Sequence, residues 1–113
     1  MADASLALLK GTLDVLILET LRRGPLHGYG ISRWLRVTTE EAFSVEEGAL
    51  YPALRRLDKK GFVESRWGET DTGREAKFYE LTPAGRTELE ASVTSWRRYA
   101  QAMARVLEAP TRG

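Results

Sequence analysis

His27 is the only histidine in the chain, set in a Leu-His-Gly turn, and there is no cysteine. A histidine-paired nucleophile would have to be built around that one side chain, and a common zinc site has neither a second histidine nor a thiolate to draw on. The acids are scattered among bases on helix surfaces, and no GKS or GxGxxG phosphate loop occurs. These absences argue against catalysis and against a bound cofactor or metal, and a lone turn histidine reads as a capping or packing group. The spacing that does suggest chemistry lies in EEGALYPALRRLDKK, residues 46–60. Projected at 100° per residue, Leu50, Leu54, Leu57 and Gly61 fall on one arc. The opposite arc carries Gly48, Pro52, Arg55 and Lys59, with Arg56 alongside and Tyr51 on the flank. Small residues at the N-terminal end let a helix backbone approach a surface closely. Cations and a phenolic hydroxyl further along can hold phosphate oxygens. The competing reading is a partly buried core tyrosine beside cations that merely solvate the helix.

Two residues of that helix are costly where they stand. Glycine in a helix costs about 1 kcal/mol relative to alanine, and an interior proline about 3 kcal/mol. Ser44 and Glu47 fit a capping box, and a helix starting there leaves Pro52 past the first turn and the Gly48 carbonyl without its donor. A start near Glu46 to Gly48 moves Pro52 toward the tolerated first turn. The sequence leaves both starts, and a bend at Pro52, open.

The neighbouring segments must position this surface. KGTLDVLILETLRRG, residues 10–24, reads as a helix capped by Thr12 or Asp14 and stopped by Gly24-Pro25. Leu13, Leu16, Ile17 and Leu21 form one apolar face, and Val15 and Leu18 point roughly the other way. A helix apolar nearly all round is buried on both sides, and in so short a chain the second side is expected to meet another subunit. YGISRWLRVTT predicts a second helix with Ile31, Trp34 and Leu35 inward, and Ala42, Phe43 and Val45 give the following turn something to bury. The helix of residues 46–60 is the third, with Gly61 as its C-terminal glycine. FVESRW (62–67) and AKFYEL (76–81) then predict a β-hairpin whose charged tip, GETDTGRE, is full of turn formers. Arg66, Arg74 and Lys77 are its basic candidates, diluted by Glu69, Asp71 and Glu75.

Thr82-Pro83 marks a final helix start. Leu89, Val93, Trp96, Ala100, Met103 and Leu107 follow at spacings of 4, 3, 4, 3 and 4, a heptad seam over nearly three heptads. A helix packed on its own domain would show such a stripe too, but this one is long and follows a finished hairpin. Dimerisation is the expectation, with Val15 and Leu18 joining the seam. Pro110 ends the helix, and a disordered tail is expected over 110–113. The fold class is mostly α with a small β-hairpin (α+β): a winged helix-turn-helix over residues 1–82, then a dimerisation helix over 83–109.

Composition bounds the function without choosing it. Lys and Arg number 17 against 16 Asp and Glu, so any electrostatic footprint must come from segregation of charge rather than from excess. RRLDKK carries four bases and one acid; residues 81–113 carry five and three. The N-terminus MADASLALLK lacks a basic signal region, and no apolar run approaches the roughly 20 residues that span a bilayer. A cytoplasmic protein is expected.

The chain resembles the PadR family of bacterial transcriptional regulators, in the short form with one C-terminal helix. GTLDVLILETL, GPLHGYGI, VEEGALYPALRRLDKKGFV, WGETDTGREAKFYELTPAGR and SWRRYAQAMARVL carry the resemblance in order along nearly the whole chain. It implies a homodimeric repressor on a palindromic promoter site, with the helix of residues 46–60 in the major groove and Tyr51 on the DNA backbone. Ala49 stands where a threonine or serine is more usual, so a polar role is not assigned to it although it lies in the contact stretch. The resemblance also implies that a small aromatic effector can bind between the first and last helices, where Val15, Leu18, Trp96 and Tyr99 would line the space; a plain interface role for Trp96 competes. The alternative function is a winged-helix protein-interaction module that has lost DNA binding, for which the near-neutral charge and acid-diluted wing speak.

Overall fold

A computed structural model describes residues 6–9 and 11–112. Lys10, placed above at the start of the first helix, the five residues before Leu6, and Gly113 of the tail lie outside the described residues. The elements run α1 (Thr12–Leu21), β1 (Leu26–His27), α2 (Gly28–Thr38), α3 (Glu47–Lys59), β2 (Val63–Glu69), β3 (Glu75–Leu81) and α4 (Pro83–Leu107). The small sheet is antiparallel with strand order β1-β3-β2.

The central element is α1, which packs against α2, α3, β3 and the start of α4. That position explains its nearly continuous apolar sequence. Leu18, expected on a second, subunit-facing side, is 1% exposed and belongs to the chain's own core, while Val15 is half-buried against it. Neither Thr12 nor Asp14 caps α1. Its N-cap is Gly11 at φ 86°, and the Thr12 hydroxyl instead donates to the Leu9 carbonyl at 2.7 Å. The Thr20 hydroxyl, buried mid-core, is satisfied by donating to the Leu16 carbonyl at 2.8 Å. At the far end Arg22 and Arg23 (Nη1 3.0 Å) pair with Glu19. Burial pushes that carboxyl up, but the hydrogen bonds and charges of Arg22 and Arg23 outweigh burial and hold it below its ordinary value.

His27 does cap, as a turn histidine should. Its Nδ1 accepts from the Gly30 N–H at 2.9 Å at the start of α2, and its ring meets Phe78 edge-on at 5.2 Å. Leu26 and His27 also pair with Tyr79 and Phe78, adding a third strand to the hairpin. Two residues are too few for alternation to show in a sequence, so only the fold reveals β1. The α2–α3 turn passes through Glu40 and Glu41, both at positive φ, and Ser32 Oγ locks it by donating to the Val45 carbonyl at 3.0 Å.

Helix α3 begins at Glu47 with Glu46 as N-cap and no side-chain cap, so the Ser44–Glu47 capping box does not form. Its leucine stripe is buried: Leu50, Ala53, Leu54 and Leu57 are all within 1% of full burial. Gly61, at φ +80°, is exposed rather than on the inward arc, and it terminates the helix in a Schellman motif. Its N–H donates to the Asp58 carbonyl and that of Phe62 to the Leu57 carbonyl, both at 2.9 Å. The hairpin then follows in register, Val63 opposite Leu81 down to Glu69 opposite Glu75. A tighter five-residue tip, 70–74, replaces the longer loop expected above, because Gly68, Glu69 and Glu75 extend the strands.

Thr82 caps α4 as expected, accepting from the Gly85 N–H at 3.0 Å and donating to the Gly61 carbonyl at 2.6 Å. Gly85 lies so close to the Phe62 carbonyl that a side chain there would collide with it. These contacts and buried Leu89 anchor the first turns of α4, and the rest projects away. The radius of gyration is 16.4 Å, against about 13 Å for a compact chain of this length.

Candidate nucleic-acid interface

The outward side of α3 is assembled as the periodicity requires. Gly48, Ala49, Arg55, Arg56 and Lys59 are exposed, and Pro52 and Tyr51 are half-buried. With Glu47 first, Pro52 is the sixth helical residue, beyond the tolerated first turn, yet the helix runs unbroken through it. Proline lacks the N–H that would bond the Gly48 carbonyl, and exposed, side-chain-free Gly48 leaves that carbonyl open to water. Proline and glycine four residues apart therefore compensate each other on the solvent side.

The cations divide into two groups. Arg56 reaches back to Asp14 on α1, Nη2 to Oδ1 2.8 Å, and Arg66 on the wing is held by Glu80 at 2.9 Å. Among the described residues Arg55, Lys59, Arg74 and Lys77 form no ion pair. Arg66 opposes Phe78, whereas Lys77 opposes Trp67 on the other face of the wing, shared with Val63 and Leu81. Tyr79 underlies the α3 surface. Burial pushes its phenol up, Tyr51 and Asp58 add to that, and Arg55 opposes it.

Helix α2, the start of α3 and the wing frame one concave surface. Its cations, Arg33, Arg74 and Lys77, are faced by Glu47, Glu69, Asp71 and Glu75, so it carries no excess positive charge. Among the described residues, exposed cations without an ion pair lie along the Arg55–Lys59 edge of α3 and singly on the wing, at Arg74 and Lys77. Sequence reasoning missed Tyr29 and Trp67 on this surface, each 66% exposed. Trp67 was legible in principle, because strand alternation from Val63 puts it on the α3 side beyond the end of the core.

The predicted heptad seam divides along α4. Leu89 is buried and Val93 half-buried within the chain, whereas Trp96 is 43%, Met103 45% and Leu107 74% exposed, and Ala100 is exposed as well. The Trp96 and Tyr99 rings stack at 5.8 Å between centroids. Trp96, Ala100, Met103 and Leu107 thus leave an exposed, largely apolar stripe along the projecting part of α4.

Three packed helices, a two-stranded wing extended by β1 and a projecting fourth helix define a winged helix-turn-helix protein. Residues 17–91 match the transcriptional regulator PadR-like family, and the chain belongs to that family, one of transcriptional regulators and not of enzymes. It is 35% identical over 77 residues to the negative transcriptional regulator PadR of Bacillus subtilis, covering 68% of this chain and 42% of that protein. A transcriptional regulator of Mycobacterium tuberculosis is 34% identical over 89 residues, 79% of this chain and 76% of the relative. Among solved structures, a PadR-like regulator from Bacillus cereus superposes with a TM-score of 0.79 at 28% identity, covering 90% and 97% of the two chains. Bacillus subtilis PadR in complex with operator DNA superposes with a TM-score of 0.65 at 33% identity, covering 73% and 46%. Among the described residues no helix is long and apolar enough to cross a membrane.

Proposed function

We propose that this regulator is a homodimeric, cytoplasmic repressor that binds a palindromic DNA site upstream of a gene through α3. The carrying observation is the outward surface of α3, where Gly48 and Ala49 precede the unpaired Arg55 and Lys59. The small residues let the helix start approach base edges, and Tyr51, Arg55 and Lys59 hold the flanking phosphates. Lys77 and Arg74 add wing contacts to the backbone. Residues 1–82 serve as the DNA-binding unit and 83–109 as the dimerisation helix, with the exposed stripe of Trp96, Ala100, Met103 and Leu107 covered by a second copy.

Gel-shift titration on the DNA upstream of its own gene, at two salt concentrations, tests this reading. Four phosphate-binding cations per subunit, eight per dimer, give a slope of log K against log salt of about −7. No shift by a folded dimer would remove the reading. The stacked Trp96–Tyr99 pair favours one elaboration, a planar aromatic effector held between the α4 helices. Leu18, closed inside the core, takes no part in it, and half-buried Val15 stands at its edge. Quenching of tryptophan fluorescence by planar aromatic dyes, lost in Trp96→Ala, checks it.

A further inference from the structure

Gly28 opens α2, is buried, and has an ordinary helical backbone with no positive φ. Its conformation thus gives no reason for glycine, and glycine is the poorest helix former after proline. The reason is a close approach. A Cβ at residue 28 would overlap the hydroxyl of Tyr51 and lie 2.7 Å from its Cζ and 2.9 Å from its Cε1. The phenol therefore lies directly across the first turn of α2, in the space a side chain would fill.

Of the two partners the helix backbone at residue 28 is the fixed one, and the half-buried phenol is the one that must move. The Tyr51 ring packs on the buried core, and the adjacent Leu50 is 1% exposed. Ser32 Oγ is bonded to the Val45 carbonyl, and Ile31, Leu50 and Leu54 are buried, which ties α2 to the turn that leads into α3. A side chain at residue 28 would therefore push the Tyr51 phenol aside, displacing the hydroxyl from its place beside the α3 contact surface.

We propose that Gly28 is a positioning residue for DNA contact: it acts through Tyr51, whose phenol it seats against the start of α2. The inference rests on the reading of α3 as the DNA-contacting helix. Glycine at residue 28 is then a requirement of the interface rather than of helix α2 itself.

A double-mutant cycle tests it, with labelled duplex DNA from upstream of the protein's own gene as the probe and thermal melting as the control. Gly28→Ala is expected to weaken binding at least tenfold while still melting cooperatively, and Tyr51→Ala to weaken it as well. Gly28→Ala added to Tyr51→Ala should then cost less than a further twofold, because the group it displaces is gone. A general structural lesion would not show that non-additivity. Wild-type affinity in Gly28→Ala or in Tyr51→Ala, or an equal further loss in the double variant, overturns the proposal. If Gly28→Ala alone does not fold, a double variant that melts like Tyr51→Ala supports the proposal, and one that is also unfolded overturns it. A wild-type protein that ignores the duplex removes the DNA reading and this inference with it; a wild-type protein that binds while Gly28→Ala binds equally removes only this inference.

Discussion

Trp96→Ala separates assembly from folding. In a single chain Trp96 is 43% exposed, so its removal takes little from the chain's own core, and alanine is the better helix former. A tryptophan of roughly 240 Å² that is 43% open leaves about 100 Å² for a second copy to cover. At about 25 cal/mol per Å² that is about 2.5 kcal/mol per subunit and, by symmetry, about 5 kcal/mol per dimer. Such a loss weakens the dimer by between three and four decades in Kd. Light scattering or sedimentation over a concentration series should show wild type at twice the 12.7 kDa chain mass. The variant should shift toward monomer at micromolar concentration with its helical circular dichroism retained. A wild-type monomer, or a variant that dimerises within threefold of wild type, would refute the reasoning.

Other substitutions probe the interface, the core and the pH response. Arg55→Ala and Lys59→Ala should each flatten the salt dependence of DNA binding by about 2 in a dimer; Arg56→Ala, already engaged with Asp14, should change it less, as titrations at several salt concentrations will show. Leu54→Ala removes a side chain that is 1% exposed and should cost about 2–5 kcal/mol in denaturant unfolding. Glu19→Gln bears on acid stability. The folded carboxyl lies below its ordinary value, so its pairing is present above the unfolded pKa and is lost as pH falls through the folded one. The partners are half exposed, so the contribution is no more than about 1 kcal/mol. Thermal melts of wild type should lose that increment on acidification below pH 4.5, the carboxyl's ordinary value, and melts of the variant should not.

The three helices, the hairpin, the Thr82 cap and the outward cations of α3 were legible because each rests on local chemistry. A leucine every third or fourth residue, a Thr-Pro pair and a run of turn formers carry their meaning within a few positions. What failed were inferences about partners distant in sequence. The apolar back of α1 suggested a second subunit, yet Leu18 is enclosed by the chain's own elements, since three further helices and β3 surround α1. Asp14 looked like a cap and serves as a counter-charge for Arg56, 42 residues away. Arg66 and Lys77 looked equivalent as wing cations, but strand register put Glu80 beside the first and Trp67 opposite the second. Gly28 carried no local signal at all, because the group that requires it, Tyr51, arrives from another helix. Periodicity along the chain decides which face of an element is apolar; only packing decides what meets that face, because the contacts that satisfy a buried side chain or a charge are made between segments whose order in the sequence says nothing of their distance in space.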